Sequence, residues 1–153
     1  MRDEIRQTES NDRALSAVVG RLTDRDPRVR ELAADEAGDY LRDRACSHAG
    51  AQAAVERLVA AAVAADEERV QEAALNACGG AQACYDLPLA LFEPLVPLMS
   101  RLSTVLIGYV LGILGATHDP AARSIIASFA EHADLSVRAE AADALVELAG
   151  RSS

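Results

Sequence analysis

Residues 26–34 read DPRVRELAA and residues 134–142 read DLSVRAEAA, so one alanine-rich pattern occurs twice in this chain. Asp26 and Asp134 stand where a helix N-cap belongs, because an aspartate carboxylate there can accept hydrogen bonds from the first free backbone N–H groups. Pro27 then falls at the first helical position, where its missing N–H costs nothing. Both stretches therefore predict the start of an α-helix.

Two weaker copies lie between these stretches and complete a repeat. One runs from Asp66 to Ala74, and the other is the segment STVL at residues 103–106. The anchor valines of the four copies are separated by 41, 35 and 32 residues, and they are Val29, Val70, Val105 and Val137. Because this spacing is the length of one helix–turn–helix unit, the sequence predicts an all-α fold of four helix pairs.

A first helix is predicted ahead of each anchor helix, because apolar residues recur there with helical spacing. These first helices cover about residues 10–22, 50–64, 88–99 and 120–131. Pro94 and Pro97 remove backbone hydrogen bonds and are expected to kink or shorten the third of them. Left-handed C-caps are expected after the second helices, at Gly79-Gly80, Gly115 and Gly150. The predicted organisation is a flexible N-terminus at 1–9, a single repeat domain at 10–149 and a C-terminal tail at 150–153.

The composition argues against several classes of protein. The net charge is −9, and such an acidic surface repels phosphates, so nucleic acid is not an expected partner. The longest charge-free run, residues 102–118, is too short for a membrane span and holds three glycines. The N-terminus does not resemble a signal peptide, and three cysteines are an odd number for a disulfide framework. All fifteen basic residues are arginine, which together with the alanine excess indicates a GC-rich genome. We therefore expect a bacterial, cytoplasmic protein that binds neither membrane nor nucleic acid.

No group of residues forms a recognisable catalytic site. Cys46 and His48 are the one close Cys/His pair, and Cys78 and Cys84 have no histidine near them. A structural zinc site needs four ligands, usually in two closely spaced pairs, and the second pair is missing. Small buried thiols and a loop histidine are the simpler interpretation. We expect no catalytic residue, no metal and no cofactor, and therefore a protein that is not an enzyme.

The copies at residues 26–34 and 134–142 resemble HEAT repeats. The resemblance implies a right-handed α-solenoid of about four HEAT-like helix pairs, in which the second helix of each pair lines the concave face. In that family an Asp and an Arg of this motif form a ladder between neighbouring repeats. Gln71 replaces the Arg in the second copy and the third copy has neither residue, so we expect an interrupted ladder. The matching ladder residues are Asp26, Arg30, Asp134 and Arg138.

Positions two, six and ten after each anchor valine are expected to point away from the first helices. They are mostly acidic or polar in three copies but apolar in the third, where they include Ile107 and Leu111. The inferred concave face has an apolar centre and a charged rim, which is the anatomy of a protein-binding patch. The predicted partner-binding residues are Glu31, Asp35, Asp39, Glu72, Asn76, Ile107, Leu111, Asp143 and Glu147.

These features indicate a scaffold, an adaptor or an inhibitor that works through a protein–protein interaction with a basic partner. One specific version is an immunity protein that neutralises a basic toxin. Two other roles stay open for Ile107 and Leu111, namely self-association as a homodimer and plain burial in the core. An alternative function from a different class is an enzyme or enzyme subunit that handles a small ligand or a tetrapyrrole, as in the HEAT-like phycobilin lyases.

Overall fold

The chain is built from helices alone. A computed structural model describes residues 1–150, and over that range it contains eight α-helices, four short 3₁₀ helices and no β-strand. The all-α prediction is therefore confirmed. The chain divides into two compact units, Met1–Tyr85 and a second that begins at Asp86. Of the C-terminal tail predicted at 150–153, residues 151–153 lie outside the described part of the chain.

The first unit holds four long helices, and the second holds two long and two short ones. In the first unit they are α1 (Arg2–Gly20), α2 (Pro27–Arg42), α3 (His48–Ala64) and α4 (Glu68–Tyr85). In the second unit they are α5 (Leu95–Leu98), α6 (Thr104–Ala116), α7 (Arg123–Ala127) and α8 (Leu135–Ala149). The 3₁₀ helices are Arg21–Thr23, Leu89–Leu91, Met99–Arg101 and Pro120–Ala122. Among the described residues no helix is both long enough and apolar enough to cross a lipid bilayer.

Helices α2 and α8 begin where the sequence predicts. The Asp26 carboxylate accepts a hydrogen bond from the Arg28 backbone N–H at 2.9 Å, and Pro27 is the first helical residue. The Asp134 carboxylate accepts from the Ser136 backbone N–H at 2.8 Å and also from the Ser136 hydroxyl. Because these bonds favour the charged form, the backbone bond from Arg28 lowers the pKa of Asp26, and the Ser136 hydroxyl lowers that of Asp134.

Two helices extend beyond their predicted ends. Helix α1 begins at Arg2 rather than near residue 10, so residues 2–9 form its first turns. Helix α4 continues through Gly79-Gly80 to Tyr85. A glycine inside a helix costs only about 1 kcal/mol. Here the Arg42 side chain packs closely on Gly80, since a Cβ added to Gly80 would lie 3.0 Å from the Arg42 Cγ. Tertiary packing therefore outweighs the local signal for a turn.

The expected glycine C-caps are also wrong. No described glycine has a positive φ, and Gly150 at the end of α8 has φ −62°. The left-handed conformation does occur just after α2, α4 and α6, but it is taken by Arg44, Asp86 and His118. Helix ends of this kind favour glycine without requiring it.

The first helices of the third and fourth copies are short. The prolines at 94 and 97 leave α5 only four residues long, and 3₁₀ turns lie on both sides of it. Helix α7 has five residues and follows a 3₁₀ turn that begins at Pro120. The predicted disturbance of the third first helix is confirmed, since proline withholds the N–H that a longer helix needs.

Small residues bring the long second helices together in each unit. In the first unit α2 packs on α4, and a Cβ on Gly38 would lie 3.3 Å from the Ala77 Cβ. In the second unit α6 packs on α8, and a Cβ on Gly115 would lie 2.8 Å from the backbone oxygen of Ala144. Both pairs therefore approach through a glycine that faces an alanine on the next second helix.

Candidate functional site

Counting helix positions from the residue before each second helix aligns the four copies. That residue is Asp26 for α2, Glu67 for α4, Ser103 for α6 and Asp134 for α8. Position 3 in this count is always aliphatic and comprises Val29, Val70, Leu106 and Val137. The last three of these are at most 1% exposed, so position 3 faces the interior.

This alignment moves the third copy by one residue from the sequence prediction. The predicted anchor Val105 is 60% exposed, whereas Leu106 is 1% exposed. One residue corresponds to a rotation of about 100° around the helix axis, so the faces predicted for α6 were wrong. Ile107 in fact takes position 4, and Leu111 takes position 8.

Ile107 and Leu111 belong to the core. They are 5% and 0% exposed, so neither can form the exposed centre of a binding patch, and that expectation is wrong. Positions 9 and 13, which we call the outward positions, hold Gly112 and Ala116 in α6. A glycine and an alanine offer no large apolar side chain, so the inferred apolar centre of the face is missing.

The outward positions of the other second helices carry most of the predicted polar residues. Position 9 is exposed in all four helices, and position 13 is exposed or half-buried. Glu31 and Glu72 occupy position 5, beside them. The outward residues are Asp35 and Asp39 in α2, Asn76 and Gly80 in α4, and Asp143 and Glu147 in α8. The structure therefore concentrates acidic outward residues on α2 and α8.

Three carboxylates form an acidic cluster on α2. Glu31, Asp35 and Asp39 follow each other at intervals of four residues, so they share one face of the helix. Partial burial raises the pKa of Asp35, and the neighbouring charges of Glu31 and Asp39 raise it further. The α2 acidic cluster is therefore a site of like-charge repulsion in which a cation would be stabilised.

Two arginines neutralise the ends of this cluster but leave its centre. Arg69 of α4 lies 3.9 Å from the Glu31 carboxylate, and Arg42 lies 3.3 Å from that of Asp39. For Asp35 no ion pair within 4.0 Å is found in the described part of the chain. The exposed carboxylate at the middle of the cluster is the one without an arginine partner at that distance.

The acidic outward residues of α8 have a different neighbour. Asp143 is exposed, and the Glu147 carboxylate lies 3.0 Å from Nε2 of His118. His118 follows α6 with φ 55°, and its Nδ1 is buried without a hydrogen-bond partner. This pair connects the end of α6 to α8 within the second unit.

The side chains at position 4 make one recurring contact. Arg30 donates from Nη1 to the Asp24 carbonyl at 2.7 Å, and Arg138 donates likewise to the His132 carbonyl at 2.7 Å. Gln71 donates from Nε2 to the Ala65 carbonyl at 3.4 Å. In all three helices the acceptor lies six residues earlier, so position 4 fastens the preceding loop.

Only one of these side chains reaches the next second helix. Arg30 also donates from Nη2 to the Glu67 carboxylate at 3.1 Å, which links α2 to the start of α4. The ladder residue Asp26 instead caps its own helix and contacts Arg28, 3.4 Å away. Asp134 caps α8 in the same way. The contact between copies therefore runs from an arginine to a glutamate that the sequence did not single out.

Two of the three cysteines, Cys46 and Cys78, are poor nucleophiles where they lie. Burial raises the pKa of Cys46 to about 11 and that of Cys78 to about 12, so little thiolate forms at neutral pH. Asp12 adds to the effect at Cys46. His48 is exposed at the first turn of α3. In residues 1–150 no group of three or more His, Cys, Asp or Glu side chains is placed to hold a metal ion.

An open groove of about 760 Å³ lies in the second unit, and sequence reasoning missed it. Its wall includes Phe129 and His132, whose rings stack at 6.2 Å. The Nδ1 of His132 accepts a hydrogen bond from the Asp134 backbone N–H at 3.0 Å. The one signal in the sequence was the pair of prolines, Pro94 and Pro97, which shorten α5 and leave room beside α6. The groove is lined mainly by Val96, Met99, Leu102, Ile107, Ile125 and Phe129, and three serines also line it.

Comparison of the chain with protein-family models, curated proteins and solved structures finds no match. Its function therefore has to be inferred from its own residues.

Proposed function

We propose that this chain is a protein-binding scaffold that recognises a basic partner through the carboxylates at its outward positions. It acts as an adaptor or as an inhibitor, and it has no enzymatic role. The fold belonging to this proposal is a right-handed α-solenoid of about four HEAT-like helix pairs. In such a fold each repeat contacts its neighbours, and the extended surface of the second helices serves for binding.

Contacts that recur at matching helix positions support the solenoid. Position 12 is glycine in α2 and in α6, and each glycine faces the alanine at position 10 of the following second helix. These pairs are Gly38 with Ala77 and Gly115 with Ala144. The loop contact at position 4 recurs in three helices as well. Stacked repeats would make the same contact at the same place in each unit.

The observation that carries the binding proposal is the row of Glu31, Asp35 and Asp39 on one face of α2, in which the central Asp35 has no arginine within 4.0 Å among residues 1–150. The Asp35 carboxylate is partly desolvated and crowded by Glu31 and Asp39, which raises its pKa and makes its charged form unfavourable. An Arg or Lys of a partner would relieve this repulsion. The net charge of −9 would in addition speed the encounter with a basic protein.

The partner chemistry suits an immunity-type function. An acidic bacterial protein that covers the basic surface of a toxin such as a nuclease would act by occlusion, which needs only a complementary surface. We place this function in the bacterial cytoplasm, with no contact to membrane or nucleic acid. A gene for a basic toxin beside the gene of this chain would support the immunity version.

The test measures association with a basic protein captured from the native host. We expect the double variant Asp35→Asn with Asp39→Asn to associate several-fold more slowly, and its association rate to depend less on salt. Charges at the rim of an interface act mainly on the association rate. Biolayer interferometry at two ionic strengths would measure both effects.

A matched control removes two exposed carboxylates elsewhere. Asp3→Asn with Glu4→Gln changes the net charge by the same amount on the first turn of α1. Equal slowing in both double variants would assign the effect to net charge and reject the α2 acidic cluster as the site. Full association in the Asp35/Asp39 variant would reject it as well.

A second candidate function is the binding of a small neutral ligand in the groove beside Phe129. Ligand pockets typically measure about 300–1,000 Å³ and are mostly apolar, and this groove has about 760 Å³. Its lining carries no carboxylate or guanidinium group, which favours an uncharged ligand. Absorption spectroscopy and mass spectrometry of the purified protein would detect such a ligand. A stoichiometric chromophore would favour this function over the scaffold.

A further inference from the structure

Helix α8 carries an uncovered apolar stripe along one side. Leu135 and Val146 are each 72% exposed, and Ala139 and Ala142 between them are exposed as well. Steps of four, three and four residues place the four side chains on one face of the helix. We call these residues the α8 stripe. Two large exposed aliphatic side chains aligned on one helix face differ from the scattered single residues that are normal on surfaces.

The corresponding face is covered in α2 and in α6. This face includes positions 8 and 12 of each second helix. In α2 they are Ala34 and Gly38, in α6 they are Leu111 and Gly115, and all four residues are buried. Helix α4 packs on α2, and α8 packs on α6. In α8 the same two positions hold Ala142 and Val146, and the described residues leave both exposed. On α2 and on α6, therefore, this face receives the next second helix, whereas on α8 no helix within residues 1–150 covers it.

The covered examples show what kind of element fits. Gly38 comes so close to α4 that an added Cβ would lie 3.3 Å from the Ala77 Cβ. Gly115 comes closer still to α8, where an added Cβ would meet the backbone oxygen of Ala144 at 2.8 Å. A close approach of this kind requires small side chains on at least one helix of the pair. Because Val146 replaces glycine on α8, the small residues must come from the incoming helix.

Charges beside the stripe indicate the character of that helix. Asp143 and Glu147 are exposed next to the stripe, whereas Arg138 on its other side donates to the His132 carbonyl. In the α2–α4 pair Glu31, which occupies the position of Ala139 in α8, lies 3.9 Å from Arg69, so the incoming helix brings an arginine to this face. The complement of the α8 stripe is therefore a helix with small residues at its centre and basic residues along its edge.

We propose that the α8 stripe docks an amphipathic α-helix of a basic partner protein, with Val146 at the centre of the contact. A second copy of this chain fits less well, because α8 against α8 would bring Asp143 and Glu147 towards the same carboxylates of the other copy. The proposal rests on the scaffold function for the carboxylates of Asp143 and Glu147, and it adds the apolar surface beside them. It holds whether or not the α2 acidic cluster binds a partner.

A peptide based on α4, an incoming helix of this chain, provides the probe. It has the sequence of residues 67–85, with Cys78→Ala and Cys84→Ala to prevent oxidation, and with Glu72→Arg and Asn76→Arg to make its edge basic. Titrated into the whole protein, it should shift the amide NMR signals of α8. We expect Val146→Gln to weaken binding about tenfold, since it removes one central apolar contact without changing the charge.

The matched control is Val105→Gln, which alters another exposed valine of the second unit. It should leave peptide affinity unchanged, and both variants should melt within a few degrees of the wild type because both positions are exposed. Equal weakening by the two variants, or no shift of α8 signals at millimolar peptide, overturns the proposal. So does equal affinity for the peptide that keeps Glu72 and Asn76. A wild-type dimer in sedimentation that Val146→Gln dissociates would assign the stripe to a second copy and overturn the proposal too.

Discussion

Helices α2 and α6 occupy matching places in their units but present opposite surfaces. Each packs along the next second helix, and each approaches it through a glycine at position 12. The outward positions of α2 are Asp35 and Asp39, whereas those of α6 are Gly112 and Ala116. The packing face is thus shared and the outward face is not. Helix packing and surface chemistry vary separately along this chain, and a candidate function has to be sought in the surface chemistry.

The two helices also differ in how tightly the shared face is fixed. An added Cβ on Gly38 would meet mainly the flexible end of Arg42, at 3.1 Å, and the Ala77 Cβ at 3.3 Å. An added Cβ on Gly115 would meet the Ala144 backbone at 2.8 Å. A side chain can turn aside, but a helix backbone can move only as a unit. The second unit therefore tolerates less change at this contact.

The largest effect is expected where α6 is buried. Leu111→Glu places a carboxylate at a position that is 0% exposed. An unpaired buried charge of this kind costs about 3–5 kcal/mol, so the second unit should lose its cooperative thermal transition in circular dichroism. Val105→Glu on the same helix is the control and should change the free energy of unfolding by less than about 0.5 kcal/mol. A stable, well-folded Leu111→Glu protein would reopen this position as a surface.

The next effect tests the two glycines against each other. Gly115→Ala should destabilise the protein by about 1–3 kcal/mol, the usual cost of overpacking, because the new methyl group would press on backbone. Gly38→Ala should cost less, since alanine gains up to about 1 kcal/mol of helix propensity and Arg42 can move aside, so that only the Ala77 Cβ has to give by a few tenths of an ångström. Chemical denaturation of both variants would measure the difference. Equal losses would show that the two helix contacts are equally rigid.

Local chemistry made parts of the fold predictable. An aspartate followed by proline, as at Asp26, or by a leucine, a serine and a valine, as at Asp134, specifies a helix start within a few residues, so α2 and α8 were placed correctly. The third copy offered a weaker signal, and alignment on Val105 rotated its faces. Ser103 was the better guide, because its hydroxyl accepts from the Leu106 N–H and thereby marks the start of α6. Aligning the copies by cap residue would have identified Leu106 as the buried residue.

Features that depend on tertiary contacts were not predictable. The passage of α4 through Gly79-Gly80 brings Gly80 against the Arg42 side chain of another helix. The groove beside Phe129 forms only when α5, α6 and α7 meet. The contact from Arg30 to Glu67 joins residues 37 apart, and nothing local distinguishes Glu67 from the other acidic residues. By contrast, the α2 acidic cluster was predictable because its members share one helix.

A smaller loss of stability is expected at the position 4 loop contact, which is charged in α2 and neutral in α4. Arg30→Ala leaves the Asp24 carbonyl and the Glu67 carboxylate without their donor, and we expect a loss near the lower end of about 1–3 kcal/mol because water can reach part of the site. Gln71→Ala removes one neutral hydrogen bond and should cost about 0.5–1.5 kcal/mol. Urea denaturation would measure both. An Arg30→Ala protein as stable as the wild type would rule out a structural role for this contact.

The smallest effect separates the two kinds of aspartate on α2 by their pH dependence. The pKa of Asp35 is raised in the folded protein, so the folded state binds this proton more tightly than the unfolded state does. Stability from this group is therefore present at low pH and lost as pH rises through the range above its usual value of 3.8. Asp35→Asn should thus stabilise the protein at pH 7 by about 0.2–0.5 kcal/mol for each like-charge pair relieved, and the gain should vanish well below pH 3.8.

Asp26 is the control, since its pKa is lowered and its contribution to stability is lost as pH falls. Asp26→Asn should therefore destabilise the protein at pH 7 and have little effect in acid. Thermal melts of both variants at pH 7 and at a series of pH values falling well below 3.8 would test the opposite signs. A destabilised Asp35→Asn protein at pH 7 would mean that this carboxylate is held by favourable contacts and is not crowded by its neighbours.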